Sequence, residues 1–101
     1  MGADINTVGF AACPGLPVRI NKAAPGYSSI RTAYAVASDG DTIEMQEKTF
    51  SENLTLDDGI SLKLEGGYNC VFSSRPGYST LRGKITLRGP GKTVIEKLTI
   101  K

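Results

Sequence analysis

Seven carboxylates fall between Asp39 and Asp58: Asp39, Asp41, Glu44, Glu47, Glu52, Asp57 and Asp58. Acids bind calcium when about six to eight oxygens converge on one point. Here they spread over two turns and one outward strand face, so a solvated surface and turn chemistry are expected instead. Asp39-Gly40-Asp41 also lacks the remaining spacing of an EF-hand loop. The chain has no histidine, which removes the commonest general base and a common zinc ligand. Two cysteines cannot build a four-thiolate metal site. No serine can be matched to a base, and no lysine sits in an apolar context that would lower its pKa. No catalytic residue, metal site or cofactor is therefore expected. Asn53-Leu54-Thr55 matches a glycosylation acceptor, but Leu54 is expected to hold it inside a strand.

The cations are distributed unevenly. Residues 1–70 hold five Lys or Arg against nine Asp or Glu, whereas residues 71–101 hold seven against Glu96 alone. One reading is an anion- or glycan-binding face built from Arg75, Arg82, Lys84 and Arg88, with an acidic polysaccharide as its ligand. The other is that Lys and Arg guard exposed strand edges against pairing. Nucleic acid is not expected as a partner, because no recognition motif accompanies the charge and the aromatics are not interleaved with it.

The elements that must position these residues follow from periodicity. Ile30, Ala33, Tyr34 and Ala37 fall at i, i+3, i+4 and i+7, which predicts a helix near 28–39 capped by Ser28 or Ser29 and closed at Gly40. After Gly40 the period becomes 2. Ile43 and Met45, then Leu54 and Leu56, then Ile60, Leu62 and Leu64 alternate with polar residues, as half-buried strands do. In "TVIEKLTIK" a flat strand would bury Glu96 with its apolar neighbours, which is costly without a partner. A bend at Glu96-Lys97 removes the conflict. At 101 residues the chain fits one domain, 1–101, with an irregular entry over 1–17. No apolar run is long enough to span a membrane, and "MGADINTVGF" shows no signal-peptide pattern.

Ser or Thr followed by Leu or Ile recurs at Thr42, Ser61, Thr80 and Thr99, a step of 19 residues. That spacing suggests stacked coils. The segments "YSSIRTAYAVASDGDTIEMQEKTFSENLTL" and "ISLKLEGGY" resemble the opening of right-handed parallel β-helix proteins of the pectate-lyase-like class. That resemblance implies a short β-helix solenoid behind an N-terminal capping helix, with strands near Ile43, Leu62 and Leu81 as parallel neighbours. The alternative is a compact α+β domain with one helix on an antiparallel sheet. From Cys13 to Lys101 the chain is also similar to a small module of uncharacterised surface proteins of anaerobic bacteria. No activity comes with that similarity.

The resemblance implies an extracytoplasmic setting, either secreted, periplasmic or on the cell surface. The expected role is a non-catalytic structural or interaction module of a larger bacterial protein, monomeric in isolation, with a polysaccharide or cell-surface component as partner. The alternative is a carbohydrate-binding or polysaccharide-active fragment. In that setting an even cysteine count suits a Cys13–Cys70 disulfide tethering the entry segment, letting Val18–Ile20 dock as a strand. Two reduced, buried thiols are the other possibility.

Overall fold

The computed structural model describes residues 16–101, beginning with two short strands, β1 (Val18–Ile20) and β2 (Ala23–Tyr27). Asn21 and Lys22 join them with positive φ at both positions, the conformation a two-residue antiparallel turn requires. Helix α1 (Ile30–Val36) follows and is capped twice at its N-terminus. The Ser29 hydroxyl accepts the Thr32 N–H at 3.0 Å, as in a standard cap. The Glu52 carboxylate, from a distant part of the chain, accepts the N–H groups of Ile30 and Arg31 at 3.0 and 2.9 Å. Ile30, Ala33 and Tyr34 turn inward, and the helix lies over β1, β2, β3 and β5 at one end of the apolar interior.

The remaining strands are β3 (Asp41–Gln46), β4 (Thr49–Ser51), β5 (Leu54–Leu56), β6 (Leu62–Tyr68), β7 (Ser79–Arg82), β8 (Ile85–Leu87), β9 (Thr93–Glu96) and β10 (Leu98–Ile100). They form a five-stranded sheet β9-β6-β3-β1-β2, a three-stranded sheet β10-β7-β4 and a pair β5-β8. The last two are wholly parallel. The first is mixed, because β1 runs antiparallel to both β2 and β3.

Register places like residues in rows across each sheet. Ile43, Leu64 and Ile95 lie opposite one another, as do Phe50, Leu81 and Ile100. Leu54 faces Ile85, and Leu56 faces Leu87. These rows supply most of the buried core, together with Val18, Met45, Leu62 and the helix residues. Burial of each such side chain contributes about 1.5–3 kcal/mol relative to exposure.

The expected β-helix solenoid is not found; the chain is a compact α+β domain with one helix and mixed and parallel sheets. The 19-residue step does not set the pairing. Ile43 lies opposite Leu64 rather than Leu62, and Leu81 belongs to a different sheet. The offset is 21 residues from Asp41 to Leu62, 31 from Leu62 to Thr93 and 31 from Thr49 to Thr80. Only Thr80 to Thr99 shows 19. The recurring Ser/Thr-Leu/Ile pairs reflect the in–out alternation of any half-buried strand. Register is set instead by apolar stacking and by the long segment between β6 and β7. The α+β alternative comes nearer, although the sheets are mixed and parallel rather than antiparallel.

One further expectation needs correction, and one falls outside the described residues. The helix ends at Val36 with Ala37 as C-cap, and Gly40 (φ 86°) serves the turn into β3 instead. The expected Cys13–Cys70 pairing rests on Cys13, which lies outside the described residues, as does most of the expected entry segment. Cys70 lies in the turn after β6, where its carbonyl accepts from the Gln46 side chain at 3.1 Å, and it is not a free cysteine. The bend at Glu96-Lys97 is present. Lys97 takes φ 54° and sends the chain from one sheet to another between β9 and β10. Among the described residues, no helix is long and apolar enough to cross a membrane.

Candidate functional site

Strand pairing assembles the densest cluster of ionisable groups. Arg19 on β1 lies opposite Glu44 on β3, Glu44 opposite Glu65 on β6, and Glu65 opposite Glu96 on β9. Three carboxylates in adjacent positions repel one another unless they are compensated. Compensation comes from four side chains. Arg19 Nε meets Glu44 Oε1 at 2.7 Å, and Lys63 Nζ reaches Glu65 at 3.0 Å and Glu96 at 3.6 Å. Arg75 Nη1 meets Glu96 at 3.4 Å and Glu65 at 4.0 Å. The Tyr68 hydroxyl lies 2.8 Å from Glu65 and 3.3 Å from Glu44 and donates between them.

The segment 69–78 folds back over this row and is held by its cations. The Arg19 guanidinium lies 4.1 Å from the centroid of the Phe72 ring and donates to the Phe72 carbonyl at 3.3 Å. Arg75 lies 5.3 Å from the Tyr68 ring centroid and donates to the Gly66 carbonyl at 3.2 Å. Its Nη2 is the one buried side-chain polar atom without a hydrogen-bond partner among the described residues. The neighbouring Tyr68 ring offsets part of that loss through cation–π attraction. Asn21, Lys22, Thr42, Glu44, Glu65, Tyr68 and Arg75 line an open cleft of about 430 Å³ above the row.

The electrostatics oppose acid–base work here. Burial pushes the Glu65 carboxyl up, but the Tyr68 and Lys63 hydrogen bonds and the charges of Lys63 and Arg75 together outweigh it. Glu65 is thus held below the ordinary carboxylate value. Burial pushes the Tyr68 hydroxyl far above the usual phenol range, reinforced by its bond to Glu65 and the charges of Glu44 and Glu65. A carboxylate that resists protonation and a phenol that resists ionisation form a standing hydrogen bond, not a proton relay.

Removing the Tyr68 hydroxyl is a direct test of this description. Tyr68→Phe is expected to cost about 1.5–3 kcal/mol at neutral pH, the range for hydrogen bonds to charged groups. The pH dependence follows from linkage. Glu65 has a lowered pKa in the fold, so its contribution is present above the ordinary value of 4.5 and is lost as pH falls through the folded value. The deficit of the variant should therefore shrink in acid. Tyr68 has a raised pKa, so the parent should also lose stability above its ordinary value of 10.0, a loss the variant lacks. Urea unfolding across this pH range checks both arms, and parallel pH profiles for parent and variant would contradict the assignment.

Asp39 and Asp41 serve the turn before β3 and its neighbours. Asp39 accepts from Ser61 N–H at 2.7 Å, and Asp41 accepts from Ser38 N–H at 2.8 Å and from the Asn21 amide at 2.9 Å. The Ser38 bond, followed by the Asn21 bond, holds the Asp41 carboxyl below its ordinary value. Among the described residues, no group of three or more potential metal ligands converges.

Of the expected anion-binding residues, Arg75 has its guanidinium committed within the fold, and the other three lie at the ends of β7 and β8. Arg75 is engaged by Glu96 and Glu65. Arg82 closes β7 opposite Ser51, Lys84 donates its N–H to Asn53 before β8, and Arg88 donates its N–H to the Leu56 carbonyl after β8. Sequence reasoning missed the row of charges itself. The one available signal was Glu96, whose place among apolar neighbours required a partner. No protein-family model, curated protein or solved structure matches the chain.

Proposed function

We propose that the chain is a non-catalytic interaction module of a larger bacterial surface or secreted protein. One observation carries this reading: among the described residues, the apolar rows stop uncovered at one side of the sheets. Relative exposure rises from 0% at Ile43 and Leu64 to 36% at Ile95, and from 4% at Phe50 and 0% at Leu81 to 47% at Ile100. Leu87 is 56% exposed above Leu56 at 6%. Large apolar side chains left at the end of a packed row mark a contact surface. The charged cleft, by contrast, spends its groups on one another. The similarity of Cys13–Lys101 to modules of bacterial surface proteins supports the extracytoplasmic setting.

A photo-cross-linking residue placed at Ile95 tests the reading in the source cell, with the same residue at exposed Val36 on the helix as control. Adducts with polypeptide or glycan are expected at position 95 and not at position 36. A chain that forms no adduct at Ile95 has no partner on that side, and the reading fails.

A further inference from the structure

Building on that interaction reading, we propose that the outer edges of β9 and β10 are a docking site for an extended, acidic polypeptide segment that adds to the sheets as a strand. Among the described residues, β8, β9 and β10 are each the outermost strand of their sheet. The Lys92 carbonyl accepts from the Leu62 N–H and so points toward β6. Alternation along the strand then directs the backbone groups of Thr93 and Ile95 outward, away from β6. The side chains of Ile95 and Ile100 extend the rows of the core and end at the same open side. A partner that covers apolar rungs and pairs with outward backbone groups at once is an extended polypeptide. A polysaccharide has no regular ladder of amide donors and carbonyl acceptors to match them.

Charge selects the character of that segment. From Lys84 to Lys101 the chain carries Lys84, Arg88, Lys92, Lys97 and Lys101 against Glu96. Glu96 is already engaged by Arg75 and Lys63. The surface around the edges is therefore strongly positive, which disfavours a second copy presenting the same face and favours carboxylates. The cations do not act as guards of the edge. Guarding residues stand within an edge strand, whereas β8 (Ile-Thr-Leu), β9 (Thr-Val-Ile-Glu) and β10 (Leu-Thr-Ile) contain no Lys, Arg or Pro. The lysines sit at the corners, where they can meet the ends of an added strand.

The test uses the whole chain and a capped eight-residue peptide of alternating Glu and Val. A Lys/Val peptide, an N-methylated Glu/Val peptide and polygalacturonate serve as comparison probes. The Glu/Val peptide is expected to bind, to slow hydrogen exchange at the amides of Thr93 and Ile95, and to weaken at least about tenfold from low to physiological salt. Reversing the exposed pair Lys92→Glu and Lys101→Glu should weaken it by a similar factor without touching the core, and Ile100→Glu should abolish it. Circular dichroism confirms that each variant is folded, and the charge reversal keeps the test decisive if Ile100→Glu is not. Equal binding of the N-methylated or Lys/Val peptide overturns the proposal, as does binding of polygalacturonate without amide protection. Protection that appears with protein concentration alone assigns the edge to a second copy and also overturns it. A failed peptide alongside a positive cross-link at Ile95 would leave the interaction module standing and remove only the acidic strand.

Discussion

Arg19→Met should destabilise the domain by about 3 kcal/mol. The reason is the position of Glu44. Its side chain is 3% exposed, and its one ion pair among the described residues is the 2.7 Å contact with Arg19, itself 20% exposed. Methionine fills much of the same volume without charge or donors. Among the described residues, Glu44 would then be a buried carboxylate held by the Tyr68 hydroxyl alone, at 3.3 Å. A buried charge that loses its partner costs far more than the pair contributes over an apolar replacement. The variant also loses the Phe72 contacts, so hydrogen exchange should quicken across residues 69–78. Glu44→Gln should be milder, because Arg19 can turn toward water. The double variant Arg19→Met/Glu44→Gln should lose about 1–2 kcal/mol less than the sum of the two single losses, which is the coupling a double-mutant cycle reads. Additive losses in urea unfolding would show that the two side chains do not act as a pair.

That pair also shows where the sequence is legible and where it is not. Local periodicity carried the helix from Ile30 to Val36, the alternating strands around Ile43, Leu54 and Leu64, and the corner at Lys97. In each case the information lies within a few neighbouring residues. The row Arg19–Glu44–Glu65–Glu96 is different. Its members are 25, 21 and 31 positions apart and meet only through strand register. Register depends on how far each connection runs, and the segment between β6 and β7 disturbs any constant step. A regular 19-residue spacing was therefore persuasive and misleading. Arg75 was grouped with Arg82, Lys84 and Arg88 because they are near in sequence and alike in charge. Its place is set instead by the turn that returns residues 69–78 over Tyr68. Pro76-Gly77 beside Arg75 marks a turn but not where it lands; the close approach of Gly77 to Gly67 fixes that.

Gly67→Ala is the other large expected loss, about 3 kcal/mol or more, combining two penalties. Gly67 has φ 85°, in the left-handed region that costs an L-residue about 1–2 kcal/mol. A Cβ there would also run into the backbone carbonyl of Gly77 and touch the Lys97 side chain at 3.4 Å. Backbone cannot rotate away as a side chain can, so overpacking adds about 1–3 kcal/mol. This close approach is where residues 69–78 come back to begin β7. Gly67 N–H donates to the buried Ser79 hydroxyl at 2.9 Å, and Ser79 donates onward to the Gln46 carbonyl at 2.6 Å. Pushing Gly77 away would break that chain of bonds and draw Arg75 off Glu65 and Glu96. Gly40→Ala separates the two penalties. Gly40 has nearly the same φ, 86°, but nothing lies within 4 Å of the added Cβ. It should therefore cost about 1–2 kcal/mol, the dihedral penalty alone. Denaturant unfolding of the two variants side by side gives the difference, and amide exchange at Gly67 and Ser79 locates it. Equal losses would mean that the chain yields at Gly77 without cost, and that the fold-back holding Arg75 over Tyr68 is not set by this glycine.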